Sequence, residues 1–386
     1  MAEGLQLRKF VAPEFIFGVG ARRLAGRYAR NLGGRKILVV SDPGVVKAGW
    51  TKDVTDSLEE AGLPFVLFTG LTPNPKAEEV MAGVALYQTE RCDLLVAVGG
   101  GSPIDCAKGI GIVSSNRRHI LEFEGVDMVK SPMPPLICIP TTGGTSADVS
   151  QFAIISNPLE RVKIAIISKS VVPDIALIDP ITLTTMDPYL TACTGLDAMT
   201  HAIEAFVSTA RSAMTDLHAL EALRLLSANL IPSILNPADM DLRGNVMQGS
   251  LQAGLAFSNA ILGATHAMAH SLGGALDLAH GECNAILLDH VIEFNFASAP
   301  ERFEQIALAM GLDLKGMGHP ERKKALLRHV RDLKAKAGVS RTLAEVGVGR
   351  GDVALYSEHA LKDPCMATNP RRASKRDIEV LYEESL

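Results

Sequence analysis

Two short segments concentrate the side chains that could do chemistry. Asp197 and His201 stand four residues apart in GLDAMTHAIEAF, residues 195–206. A helix there places both on one face. Their neighbours are Ala, Met, Ile and Phe, so that face reads as buried, and a buried carboxylate needs a partner. The second segment, GATHAMAHSLGGALDLAHGECN, spans residues 263–284. His266 and His270 share the same four-residue spacing on an Ala-rich helix. Gly273 and Gly274 are expected to break that helix, and His280 follows just before Gly281. Four of the ten histidines lie in these two segments. Three histidines and a carboxylate suit Zn²⁺ or Fe²⁺. Any one of them alone reads better as a hydrogen-bonded core or surface residue. Together, in register and with apolar flanks, they favour coordination. The absence of an HExxH glutamate excludes the common zinc-protease motif.

Two glycine loops suggest a second ligand. LLVAVGGGSPIDCAK (94–108) runs from a strand through Gly99, Gly100, Gly101 and Ser102 into a helix. Glycine lets backbone N–H groups approach an anion, and the helix N-terminus adds positive partial charge. The pattern is neither GxGxxG nor a Walker loop, and a tight strand-to-helix turn is the bland alternative. IPTTGGTSADVS (139–150) also leaves a strand. Thr141, Thr142, Thr145 and Ser146 offer hydroxyls to a pyrophosphate or ribose, or simply line a polar loop. Asp42 ends the first strong strand. An acid there can accept from an adenosine ribose and repel a 2′-phosphate, favouring NAD over NADP. It can equally form an Asx turn with Pro43-Gly44.

The elements that must position these residues fall into two styles. Strands are expected at 36–41, 64–68, 94–98, 135–139 and 171–179, with a hairpin at 152–156 and 162–167. Helical spacing fills 50–61, 76–90 and 102–114. This βαβα rhythm with continuous apolar strands implies a parallel sheet covered by helices. After about Pro188, long helices dominate, at 189–208, 213–230, 243–258 and 300–311. The expected organisation is an α/β NAD-binding domain over 1–187 and an all-α metal-binding, catalytic domain over 188–386, with the site in the cleft between them.

Composition narrows the function. The chain has 386 residues, 47% hydrophobic and 21% charged, with net charge -5. That charge argues against a nucleic-acid partner. No apolar run reaches the ~20 residues of a membrane span. MAEGLQLRKFVAPEF lacks a signal-peptide core. The six scattered cysteines form no CxxC pair and read as reduced thiols in a cytoplasmic protein.

The landmarks GGGSPIDCAK, PTTGGTSADV, GLDAMTHAIEA, HAMAHSLGG, HGECNAILL and TNPR, in that order, resemble those of the iron-containing (group III) alcohol dehydrogenases. The likeness spans about residues 40–370. It implies a dehydroquinate synthase-like fold, NAD, iron (or zinc), and a homo-oligomer, commonly a dimer. It puts the metal ligands at Asp197, His201, His266 and His280 and an additional active-site histidine at His270. Cofactor contacts carry over to Asp42, Gly100, Gly101, Ser102, Thr141, Thr142, Thr145, Lys163 and Leu183. Asp105 and Lys108 match the GGGSxxDxAK helix. Phe152 stands where many members have asparagine, and Phe257 and Cys365 match pocket positions. One departure is Asp289, where many members have proline, a variant resembling a subgroup linked to regulation of ethanol oxidation.

The expected reaction is hydride transfer between a small primary alcohol and NAD, with His270 relaying a proton. A weakly active sensor that binds NAD and metal is the competing reading. A dehydroquinate-synthase-like lyase fits less well, because the metal helices are mostly Ala, Leu and Met rather than Lys and Arg.

Overall fold

The structure, a computed structural model, describes residues 7–276 and 278–386. Residues 1–6 of the expected N-terminal domain lie outside the described residues. Strands β1 (Glu14–Phe17), β2 (Ile37–Ser41), β3 (Phe65–Phe68), β4 (Leu94–Gly99), β6 (Leu136–Pro140) and β9 (Ile175–Ile178) form one sheet in the order β1-β9-β6-β4-β2-β3. Every pairing in it is parallel. β2, β4, β6 and β9 are buried along their whole length. That is why their sequences run apolar without alternation. β5 (Gly125–Val126), β7 (Phe152–Asn157) and β8 (Val162–Ile167) make a smaller sheet, with β7 and β8 antiparallel as the hairpin reading expected. β1 was not anticipated. It is a short, exposed edge strand that pairs only with β9, and its Phe15 and Phe17 remain open to solvent.

The strand order sets the site. From β2 the chain steps outward to β3, then returns to the other side of β2 as β4. The crevice beyond the carboxyl ends of β2 and β4 is therefore a topological switch point, where open α/β sheets bind ligands. Asp42 follows β2, and Gly99-Gly100-Gly101 ends β4. This explains how the acid precedes the glycine loop in sequence yet faces the same crevice. Pro140 pairs with Gly99, so the threonine loop leaves β6 alongside them.

The second half is helical. Helices Pro188–Val207, Ala213–Leu235 and Met240–Ala260 pack on one another, followed by Ala264–Leu276, His280–Asn295, Pro300–Ala309 and His319–Lys336. Asp187 caps the first, accepting from the N–H groups of Tyr189 and Leu190. One large apolar core joins the halves, combining Val149, Phe152, Ile178 and Leu183 with Leu196, Leu226 and Phe257. The expected helix break at Gly273-Gly274 does not occur. The helix continues to Leu276. A Cβ at Gly273 would lie 2.7 Å from Lys163 Nζ, and one at Gly274 would lie 2.6 Å from Val162 Cα. These glycines serve close packing of the helix on β8, not termination.

Candidate active site

The first two metal-type side chains lie on helix Pro188–Val207, on its buried face. Asp197, His201 and His266 bring donor atoms within 4.8 Å of one another. His280 joins them: its Nε2 lies 3.8 Å from Asp197 Oδ1, and His266 Nε2 lies 3.7 Å from the same oxygen. Two ligands on one tetrahedral metal sit about 3.3–3.5 Å apart, so a cation fits with a small inward adjustment. Helix Ala264–Leu276 carries His266 and His270, whose rings are 6.1 Å apart. His280 opens the next helix, where Gly281 packs on the carbonyl of Cys193. Asn284, one turn on, places Nδ2 2.7 Å from Asp197 Oδ1, 3.0 Å from His266 Nε2 and 3.2 Å from His280 Nε2. An amide has two hydrogens for these three acceptors, so the lone pairs exceed the local donors.

The electrostatics agree with a cation site. Burial pulls His201 down to about 4, despite Asp197 beside it. Burial also pulls His280 well below the usual range. Both rings are therefore neutral and can donate lone pairs. Burial alone would raise Asp197, but His201, His280 and His266, which take up charge as pH falls, outweigh it and keep the group a carboxylate. His266 is the exception. Burial lowers it, yet the neighbouring carboxylates of Asp197 and Glu204 lift it to about 9. Two buried carboxylates require positive charge between them, which a divalent cation satisfies more completely than a proton.

His270 is oriented differently. Its Nδ1 lies 2.8 Å from Asp363 Oδ2, in the turn Pro364–Thr368 region that also places Cys365. With Nδ1 engaged, Nε2 is the nitrogen left to exchange a proton. The walls nearby are apolar. Phe257 stacks on His201 at 4.2 Å, and Phe152 meets Phe257 edge-on at 5.6 Å.

A cavity of about 910 Å³ connects this cluster to the switch-point crevice. From the N-terminal half its wall takes Asp42, Gly100, Gly101, Ser102, Asp105, Thr141, Thr142, Thr145 and Lys163, with Phe152 beside Phe257. From the helical half it takes Asp197, His201, Phe257, Leu262, His266, His270 and His280. The glycines are needed for fit: a Cβ on Gly100 or Gly101 would come within 3.0 Å of Thr142 or Thr145. Thr142 Oγ1 and Asp105 Oδ1, both on the cavity wall, are buried without hydrogen-bond partners among the described residues. Asp42 Oδ1 caps the short helix Pro43–Ala48 through Val45 N at 2.9 Å. It thus makes the local turn and also lines the cleft.

Four expected contacts, Gly99, Ser146, Leu183 and Cys365, lie off the cavity wall, as does Lys108, which matched the GGGSxxDxAK helix. Gly99 is inside the sheet, where its carbonyl accepts from Thr141 N. Lys108 is fully buried, and its Nζ donates to the carbonyls of Ser150 (2.9 Å) and Phe152 (2.6 Å). It fixes the start of β7 rather than touching a ligand. Leu183 is buried, its side chain packed in the core beneath Gly143. Cys365 is fully buried too, with its Sγ within 4.8 Å of donor atoms of His270 and Asp363.

Asp289 also has a packing account. It is buried, and its carboxylate pairs with Arg331 at 2.6 Å and Lys334 at 2.5 Å. It ties helix His280–Asn295 to helix His319–Lys336 and does not reach the cavity. Sequence reasoning missed Glu204, Asp363 and Asn369. Asn369, in the TNPR landmark, accepts from Ala264 N and pairs with Asn295. The landmark thus caps the helix that bears His266.

The comparisons with known proteins agree. Residues 12–180 match the family model for iron-containing alcohol dehydrogenase, and residues 191–386 match its C-terminal counterpart. The chain is 36% identical over 372 residues to 1,3-propanediol dehydrogenase of Klebsiella pneumoniae, covering 96% of each. It is 36% identical over 368 residues to lactaldehyde reductase of Escherichia coli (strain K12), covering 95% of this chain and 96% of the relative. A solved structure of 1,3-propanediol oxidoreductase superposes with TM-score 0.96 at 35% identity, over 99% of this chain and 100% of that one. By sequence along both halves, and by fold, the chain belongs to the iron-containing alcohol dehydrogenases, an oxidoreductase family that works on alcohols and aldehydes with NAD and iron.

Proposed function

We propose that this chain is an NAD-dependent, iron-dependent alcohol dehydrogenase that interconverts a small primary alcohol and its aldehyde. Residues 1–187 would bind NAD and residues 188–386 would hold the metal and the substrate. The observation that carries the reading is the single cavity that joins the glycine and threonine loops to the buried Asp197–His201–His266–His280 cluster.

The residues divide the work. The backbone of Gly100, Gly101 and Ser102, with Thr142 and Thr145, would hold the pyrophosphate at the start of helix Gly101–Asn116. Asp42 would face the adenosine ribose. Asp197, His201, His266 and His280 would hold iron, with zinc a chemically acceptable substitute. When bound, iron supplies Lewis acidity toward an alcohol oxygen, and NAD supplies the hydride acceptor. Phe152, Phe257 and Leu262 exclude water and suit a short aliphatic chain. His270, oriented by Asp363, would carry the substrate proton toward solvent.

Two further features belong to the same reading. The open edge of β1, with Phe15 and Phe17 exposed, supports a homodimer. Six free, buried cysteines suit a reducing cytoplasm. None of the described helices is long and apolar enough to cross a membrane. His270→Ala tests the assignment of the proton carrier. Turnover should fall and the pH profile should change shape while metal content stays normal. Loss of metal in that variant would make His270 a ligand instead.

A further inference from the structure

Helix Pro188–Val207 presents a third polar side chain on the face that bears Asp197 and His201. Glu204 lies seven residues after Asp197, two turns on, and is buried. Its Oε2 lies 2.7 Å from His266 Nδ1 and accepts from Gly263 N at 3.0 Å and from His266 N at 3.4 Å. Its Oε1 accepts from Thr265 N at 2.6 Å. Every hydrogen-bonding neighbour of its two oxygens is an N–H group, so it serves as an acceptor.

We infer that Glu204 is a positioning residue for the metal: it fixes His266 with its proton on Nδ1 and its lone pair on Nε2, and it anchors the N-terminus of the helix that carries His266. The inference rests on the metal reading above. Its logic is geometric. A carboxylate is acceptor-only, and all four of its neighbours donate: three backbone N–H groups and one ring N–H. With Nδ1–H engaged, Nε2 must carry the lone pair, and it is Nε2 that lies beside Asp197, 3.7 Å from its Oδ1. Such carboxylate–histidine pairs set the tautomer and raise the basicity of a ligating imidazole. The same oxygens also meet the partial positive charge of the helix N-terminus. One helix therefore supplies two ligands and the group that orients a third.

Glu204→Gln separates this role from simple packing. The side chain keeps its shape but gains an NH₂ end. If the amide oxygen stays by His266, the NH₂ meets Thr265 N–H, donor against donor. If it turns, the NH₂ meets Nδ1, and the ring must move its proton to Nε2, which blocks coordination. Metal affinity should fall ~10- to 100-fold. The measurement is Co²⁺ binding to metal-free full-length protein, read from its visible d–d absorption in competition with a chelator. NADH affinity and the melting temperature of the metal-free protein are measured beside it. The expected result is weaker Co²⁺ binding with an altered d–d spectrum, and NADH affinity within about twofold of wild type. Wild-type Co²⁺ affinity and spectrum in a folded Glu204→Gln protein would overturn the inference. If the Gln variant does not fold, Glu204→Asp, which keeps the charge one methylene short, gives the same decision. Failure of the wild type to bind Co²⁺ would instead strike the metal reading itself.

Discussion

Gly281 offers a sharp test of how two of the three ligand-bearing helices are set against each other. Gly281 is the second residue of helix His280–Asn295, directly after His280. A Cβ built there would lie 2.4 Å from the carbonyl oxygen of Cys193 and 3.3 Å from Asp197 Cβ. Ordinary contact begins near 3.4 Å, so Gly281→Ala must push the helices apart by about 1 Å. His280 Nε2 now stands 3.8 Å from Asp197 Oδ1. The shift would carry that distance to about 4.8 Å, against the roughly 3.3–3.5 Å that two ligands of one tetrahedral ion require. Closing the gap again restores the clash, which costs about 1–3 kcal/mol. At 1.4 kcal/mol per decade, metal affinity should drop about 5- to 150-fold. Chelator competition with Zn²⁺ measures it, and circular dichroism checks that the variant is folded. A folded Gly281→Ala protein with wild-type Zn²⁺ affinity would refute the reasoning, because His280 would then not need its present seat.

Further outcomes follow from the cofactor end. Trp50 is the sole tryptophan, lines the cleft and donates to Thr185 Oγ1 at 2.8 Å. NADH should quench its emission and gain sensitised nicotinamide fluorescence; unchanged tryptophan emission at saturation, with binding established by calorimetry, would place the dinucleotide elsewhere. Asp42→Gly should raise the NADP/NAD ratio of kcat/KM at least about tenfold, since it removes a charge that repels a 2′-phosphate. An unchanged ratio would reduce Asp42 to a helix cap. Burial lifts the Asp105 carboxyl to about 6, although Lys108, the Ile154 N–H and Lys163 pull the other way. The folded state thus holds this proton more tightly than the unfolded chain does, and stability is lost as pH rises from about 4 through 6. Asp105→Asn should remove that loss, opening a melting-temperature gap over wild type between pH 4 and 6. Parallel curves across that range would show that Asp105 does not titrate as buried.

Much of this site could be read from residue types and spacing. Asp197 and His201, four apart on an apolar helix, announced both their face and their need for a partner. The strand-to-glycine-loop transition at Gly99–Ser102 announced the crevice, since a parallel strand and a helix N-terminus leave few other uses for three glycines. Glu204 was harder. Its partners are backbone N–H groups 59–62 residues away, and no local pattern marks an acceptor for them. Asp363 likewise acts on His270 across 93 residues. Gly273-Gly274 misled because glycine pairs end helices when exposed, whereas here β8 lies against them. β1 escaped notice because an exposed four-residue edge strand shows neither a continuous apolar run nor a clean alternation. Leu183 and Cys365 match family positions by sequence, but contact with a cavity depends on backbone direction, which spacing does not encode.

The central claim is that one metal, seated on Asp197, His201, His266 and His280, is required for hydride transfer from an alcohol to NAD. The direct measurement is anaerobic NADH formation at 340 nm from short primary alcohols and NAD, with metal-stripped protein before and after one equivalent of Fe²⁺. The account predicts no turnover in the stripped protein and recovery that saturates at one metal per chain, with Asp197→Ala failing to recover. Alcohol-dependent NADH formation that is equally fast without metal, or in Asp197→Ala, would contradict it.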